Sequence, residues 1–412
     1  MFSNVYLKNI EGITEVNLNF VTKSRTKESL NTALETKDGI FINRQLAIIG
    51  PNASGKTSTL KAISNISSFI ILPVFLNKIM FKLSDKIEDA EVLKDAIYQM
   101  TKVKRNVNAR NEESIFSIEI YIDTDDEETT GYYEYILKFT GELFDKEIDY
   151  EELNFRSKYN SKKKLEISKK EKIKNSQVGY IYTFLNNFDE KNVNFKYIKT
   201  FGDYIVKNID SDFFDTDDDS LVKDFLKNEP EKARMIINLV DPEIVDIRHK
   251  KIDRLLRNKN LKFTFITKTG NELEYEQLSK GTKKILIVIS KVLTSLENNM
   301  VILIDEIESN INKKMVDIIF KLFYSRKSKS QIIFTSNYPS IIPDNFKNDQ
   351  IYILKRINGK ISAQRVIDYK NSDGKKLRQD VSFSRAYFAG KLDDKKEVIE
   401  NEKRIDEILK KL

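Results

Sequence analysis

Gly50-Pro51-Asn52-Ala53-Ser54-Gly55-Lys56-Thr57 sets two glycines, a lysine and a hydroxyl at the spacing Gly-x-x-x-x-Gly-Lys-Ser/Thr. That combination suits the binding of a polyphosphate. Glycines let the backbone wrap closely around phosphates with several N–H groups aimed inward, and a following helix N-terminus adds partial positive charge. Lys56 would reach the β- and γ-phosphates, and the Thr57 hydroxyl would ligate Mg²⁺. With Ser58, the candidate nucleotide-binding residues are Gly50, Pro51, Asn52, Ala53, Ser54, Gly55, Lys56, Thr57 and Ser58. A second group closes the apolar run Met300-Val301-Ile302-Leu303-Ile304 with two carboxylates, Asp305 and Glu306. Asp305 stands where it can hold Mg²⁺ through water, and Glu306 where it can polarise an attacking water.

These groups need rigid carriers. Gln45 to Ile49 reads as a buried strand and Ser58 to Ile63 as the start of a helix, the frame that such a loop requires. Met300 to Ile304 reads as a second buried strand. Gln277-Leu278-Ser279-Lys280-Gly281-Thr282 leads into an apolar helix, Ile285 to Leu296, and Gln331 to Asn337 reads as a further strand.

Residues 2–20 alternate around Gly12 as two antiparallel strands, and residues 74–100 show helical spacing. Ser114 to Ile122 and Tyr132 to Thr140 read as strands around an acidic turn, Asp123 to Gly131. Its carboxylates stand at calcium-loop spacing, but Glu128 occupies the position that needs glycine, so we read a solvated hairpin tip. Leu261 to Thr267 and Glu272 to Tyr275 read as a strand pair.

The predicted division is 1–72 (N-terminal lobe with the phosphate loop), 73–149 (helix and hairpin of the same lobe), 150–262 (mostly helical insertion), 263–366 (C-terminal lobe) and 367–412 (charged tail). The insertion opens on a lysine-rich run, Arg156 to Lys174, which reads first as a solvated face and second as a grip for a phosphate backbone. The lone histidine, His249, has no visible partner and reads as structural. Val398, Ile405, Ile408, Leu409 and Leu412 share one face of a tail helix, read as packing on its own domain.

A chain of 412 residues can bury a full core. Its 70 Lys and Arg against 63 Asp and Glu give +7, a balance that permits nucleic acid without demanding it. Without cysteine there are no disulfides, thiolate metal sites or Cys nucleophiles, which fits a reducing cytoplasm. The apolar run Ile66 to Leu76 is short of the ~20 residues a bilayer span needs, and the N-terminus reads as a strand, so no membrane role is expected.

Leu278-Ser279-Lys280-Gly281-Thr282 resembles the Leu-Ser-Gly-Gly-Gln signature of ABC-type ATPases, in the form found in ABC-like "AAA" proteins related to RecF, SMC heads and the OLD family. Ser309-Asn310-Ile311-Asn312 falls at that class's D-loop, and Gln331 to Pro339 at its switch strand. Asp349 to Tyr352 and Arg385 to Lys391 are similar to the C-terminal pattern of stand-alone members, some of which are ATPase subunits of abortive-infection or PARIS-like anti-phage systems. The resemblance implies an α/β, ABC/SMC-head-like P-loop NTPase fold with two lobes and a largely α-helical insertion. It further implies ATP, Mg²⁺ held by Thr57 and Asp305, catalysis by Glu306 with Lys56 and Asn337, and a head-to-tail homodimer or a higher homo-oligomer built on such ATP-bridged dimers. In that dimer Leu278, Ser279, Lys280, Gly281 and Thr282 would complete the partner's site.

Asn337 stands where the class usually has histidine; an amide can hydrogen-bond phosphate but carries no positive charge, so turnover is expected to be slow. The expected role is a sensor that controls a separate effector, triggered by DNA or a phage protein. A RecF/SMC-like DNA-repair clamp and an ATP-gated scaffold are the alternatives.

Overall fold

The computed structural model describes residues 1–22, 32–65, 67, 112–140, 148–173, 194–209, 220–250, 262–325, 328–343, 345–370, 383–388 and 392. The predicted helix within 74–100 and the apolar face from Val398 to Leu412 lie outside them.

Alternating residues build one half of an eleven-stranded sheet. β1 (Phe2–Ile10) and β2 (Ile13–Asn19) form the expected hairpin. β7 (Ser114–Ile122) pairs antiparallel with β1 and with β8 (Gly131–Phe139). β9 (Ile148–Arg156) and β10 (Leu165–Ile173) extend this antiparallel half to its edge.

The other half is parallel, and its strands are continuous apolar runs because both faces are covered. β6 (Gln45–Ile49) lies between β15 (Gln331–Ser336) and β16 (Ile351–Ile357), with β14 (Val301–Ile304) beyond β15. β6, β14 and β15 are buried at every residue. β17 (Lys360–Arg365) returns from β16 through the two-residue turn Asn358-Gly359 and joins the halves beside β2. Both turn residues are left-handed, at φ 51° and 77°, the geometry that matches a twisted hairpin. β3 (Val21–Thr22), β4 (Ala33–Glu35) and β5 (Phe41–Asn43) make a small sheet, as do β11 (Ile244–Lys250), β12 (Lys262–Thr267) and β13 (Glu272–Glu274).

Helices supply the remaining layers. The phosphate-loop helix begins at residue 56. The 19-residue helix Lys280–Asn298 turns Ile285, Val288, Ile289 and Val292 to the parallel sheet, while Leu286 and Ile287 join a smaller core with Val222, Ala233, Ile237 and Phe265. Phe201, on the helix Phe195–Asn208, stacks on Tyr133 and Tyr135 with ring centroids 6.1 and 5.9 Å away. No described helix is long and apolar enough to cross a membrane.

Two expectations need correction. The predicted boundary at residue 150 runs through β9, and the lysine-rich run starts as sheet rather than helical insertion. Leu153 and Phe155 alternate inward, while Lys169 and Lys170 of β10 stand in register opposite Glu152 and Glu151. The helices of the segment are Phe195–Asn208, Ser220–Asn228 and Pro230–Val240, followed by β11, where the backbone of His249 pairs with Phe263. The charged tail, in turn, is not polar throughout: Phe383, Ala386 and Leu392 are buried with Ile341 in the core of the parallel half.

The acidic turn is held by its own contacts. Asp123 pairs with Lys37 at 3.1 Å and Lys329 at 2.8 Å, and Asp126 accepts the Glu128 N–H at 3.0 Å.

Phe320, on the helix Lys313–Ser325, lies 5.2 Å from the rings of both Phe334 and Phe346 and is 1% exposed. Phe320→Ala should cost about 3–5 kcal/mol, read by denaturant unfolding, with the loss centred on the parallel half of the sheet.

Candidate functional site

Three parallel strands end at one place. β6 runs directly into Gly50, β14 into Asp305 and Glu306, and β15 into Asn337. Parallel pairing of Ile304 with Phe334, and of Ser336 with Ile49, sets Asp305 level with Thr335 and Asn337 level with Gly50.

The phosphate loop is sterically specified at its glycines. Gly55 has φ +98°, and a Cβ there would come within 2.6 Å of Ile361 Cδ1; one on Gly50 would meet the Leu354 carbonyl at 2.6 Å. Lys56 is buried and donates to the carbonyls of Gly50 (2.9 Å) and Pro51 (2.8 Å). Burial lowers its pKa, while Asp305, Glu306 and Glu308 pull the other way. The Ser54 hydroxyl is buried with no partner among the described residues, an orphan that a phosphate oxygen would satisfy.

Thr57 donates to Asp305 Oδ2 at 2.7 Å, and Thr335 donates to Asp305 Oδ1. The Glu306 N–H donates back to Thr335 Oγ1 at 2.8 Å. Glu306 itself is exposed and left-handed, at φ 45°. Its Oε1 accepts a long hydrogen bond, 3.4 Å, from the Asn337 amide. Glu308 Oε1 accepts the Asn337 backbone N–H at 2.7 Å. The other carboxylate oxygen of Glu308 and the Asn337 Oδ1 are buried without partners among the described residues.

An open cleft of ≈ 150 Å³ is lined by Asn52, Ala53, Gly55, Lys56, Thr57, Ser58, Glu306 and Arg356. Adjacent hydroxyl and carboxylate oxygens at Thr57 and Asp305 are the hard donors that a magnesium ion takes, so the residues present fit that ion.

The candidates Lys56, Thr57, Asp305, Glu306 and Asn337 therefore converge. The signature does not join them: none of Leu278, Ser279, Lys280, Gly281 or Thr282 lines this cleft. Ser279 caps the helix Lys280–Asn298, accepting the Thr282 N–H at 3.0 Å, and both Ser279 and Lys280 face solvent. Gly281 packs instead on the predicted D-loop, where a Cβ would meet the Asn310 carbonyl at 2.8 Å. Asn310 is left-handed at φ 62°, and the turn holding it is closed by Ser309 N–H to Glu306 O at 2.7 Å and Ile311 N–H to Glu308 O at 3.1 Å. Ile311 is buried and Asn312 accepts the Met315 N–H at 3.1 Å, starting the next helix.

Sequence reasoning missed Thr335, Glu308 and Arg356. Thr335 had a signal, a hydroxyl inside an otherwise apolar buried strand. Glu308 had only its closeness to Glu306, and Arg356 none.

Comparison with known proteins adds a family. A model described as "AAA domain, putative AbiEii toxin, Type IV TA system" matches residues 46–341, more than half of the chain. No curated protein matches. Solved structures that are similar include an SMC head bound to the C-winged helix domain of ScpA, at 12% identity over 94% of this chain and 99% of that one, with TM-score 0.43. The SMC head domain from Thermotoga maritima is 13% identical over 89% and 98%, with TM-score 0.39. An SMC head with an extended coiled coil, bound to the C-terminal domain of ScpA derived from Pyrococcus furiosus, is 12% identical over 88% and 95%, with TM-score 0.39.

Thr335→Val keeps the volume and removes the hydroxyl shared by Asp305 and the Glu306 N–H. ATP turnover should fall about tenfold or more while ATP affinity stays within about threefold. Phosphate release and equilibrium titration read the two quantities separately.

Proposed function

The chain belongs to the AAA-domain family whose model spans residues 46–341, and from that premise we propose that it binds and hydrolyses ATP. The observation that carries this reading is the Asp305 carboxylate, which accepts from Thr57 of the phosphate loop and from Thr335 of β15. Lys56 and Glu306 line the cleft beside it, and Asn337 reaches Glu306 through its amide.

Loop N–H groups and the helix N-terminus bind the polyphosphate. Lys56 exchanges its two loop carbonyls for phosphate oxygens. A water attacks the γ-phosphorus, the bond to the β–γ bridging oxygen breaks, and ADP and phosphate leave. Glu306 orients that water and takes its proton. Thr57 and Asp305 would hold Mg²⁺, which would supply positive charge against the developing phosphate charge. Asn337 supplies a neutral hydrogen bond and no cation, so turnover is slow.

Each site is completed by a second copy. The exposed helix start at Ser279 lies outside the cleft of its own chain, and in a head-to-tail homodimer its N–H groups would bind the partner's γ-phosphate. ATP then stabilises the dimer by mass action and hydrolysis loosens it. The family's description as a toxin of a type IV system supports a role in abortive-infection or anti-phage defence. There the dimer would act as sensor or regulator of a separate effector, a nuclease or toxin, in response to DNA or a phage protein. The cysteine-free chain suits a reducing cytoplasm, the compartment we assign to it.

A second reading, a DNA-binding repair clamp, is favoured by the exposed lysines Lys158, Lys162 and Lys163 at the β9–β10 hairpin. Stimulation of turnover by duplex DNA, lost on neutralising these three, would select it. The scaffold reading, ATP held with negligible turnover, draws on Asn337 and is separated by single-turnover kinetics.

Glu306→Gln should bind ATP, hydrolyse it at least about 100-fold more slowly and accumulate dimer on size-exclusion chromatography. Wild-type turnover in this variant would remove Glu306 as the base. Lys56→Ala and Ser279→Arg, each inactive alone, should recover up to about a quarter of wild-type activity when mixed, since only one site in such a hybrid is intact. No recovery at any ratio would rule out a shared site.

A further inference from the structure

The β16–β17 hairpin forms one wall of the phosphate loop. The Leu354 carbonyl closes over Gly50, and Ile361 packs its methyl groups on Gly55, contacts that leave no room for a Cβ on either glycine. Arg356 pairs directly across the hairpin with Ile361. Cross-strand partners share a face of the sheet, so Arg356 lies on the face that Ile361 turns to the loop. Parallel pairing of Ile353 with Ile49 carries the strand forward beside the start of the loop, and Arg356 and Asn52 line the same cleft. The Asn358-Gly359 turn follows immediately, so the arginine sits at the hairpin's stem and not on a long mobile arm.

Arg356 lines the same cleft as Lys56, Thr57, Ser58 and Glu306. Its side chain is exposed and makes no ion pair or hydrogen bond with the described residues. The other cation of the cleft, Lys56, is a point charge already tied to two carbonyls. A guanidinium differs in kind: it is planar, permanently charged and able to grip two phosphate oxygens at once.

We infer that Arg356 is a nucleotide ligand, its guanidinium binding the polyphosphate of ATP in the cleft of its own chain. This rests on the reading of that cleft as an ATP site. Arg356 thereby adds a positive charge from the β16 side, opposite the carboxylates that β14 brings. It acts in binding and does not replace the missing charge at Asn337, which lies at the end of β15 on the other side of β6.

The test uses the full chain with Mg²⁺ and two probes, ATP and inorganic tripolyphosphate, titrated against wild type, Arg356→Ala, Arg356→Lys and Lys56→Ala. Arg356→Ala should weaken both probes about tenfold and Arg356→Lys about threefold, with the ligand-free melting temperature within about 2 °C of wild type. A loss for ATP with tripolyphosphate unchanged would mean that the guanidinium stacks on the base, and would overturn the phosphate assignment. Unchanged affinity for both probes in Arg356→Ala, with binding lost in Lys56→Ala, would remove Arg356 and leave the ATP site standing. Failure of wild type to bind either probe would remove both.

Discussion

One carboxylate ties together the phosphate-loop end of this molecule. Asp305 receives the hydroxyl of Thr57 on one oxygen and that of Thr335 on the other, so three separate strand–loop junctions share a single anion. The parallel register of β14, β15 and β6 makes this possible, because it delivers their ends in step. Ligands of open α/β sheets bind outside the carboxyl ends of parallel strands for this reason: several chain reversals meet where backbone groups are still free. The antiparallel half, larger in strand number, contributes no residue to the cleft and serves as the support on which β17 and β16 are laid.

Charge balance around the cleft is uneven. Lys56 is buried, and desolvation of its ammonium outweighs the pull of Asp305, Glu306 and Glu308, so its pKa is lowered. The loop carbonyls of Gly50 and Pro51 complete its hydrogen bonding. A polyphosphate entering the cleft meets both attraction from the loop and repulsion from three carboxylates. Carboxylates of this number need cations beside them, which the donor pair Thr57 and Asp305 is equipped to attract.

How much of this was legible before the fold was known depended on the range of each interaction. The phosphate loop, its strand and its helix are local, and the spacing of Gly50, Gly55, Lys56 and Thr57 identified them outright. The strand ending in Asp305 and Glu306 was equally plain, as were the hairpin β1–β2 and the helix behind Ser279. The sheet character of β9 and β10 was masked by lysines, whose register opposite the neighbouring strand is invisible to a reading along the chain. Thr335 bonds a residue about 30 positions away, and Arg356 shares a cleft with residues about 300 positions away. Only the strand order β16-β6-β15-β14 brings them to the cleft.

Glu306 stands in the left-handed region, at φ 45°, where a side chain with a Cβ costs roughly 1–2 kcal/mol relative to a right-handed conformation. Glycine would sit there without strain, and asparagine nearly so. The residue we propose as the base thus stands where the chain is less stable than it could be, and a chain freed of that role would fold better. Drift under selection for foldedness alone would erode this residue early. Its presence at such a site in any descendant of this chain would therefore be a sign that a function of the side chain, and not merely folding, is being maintained.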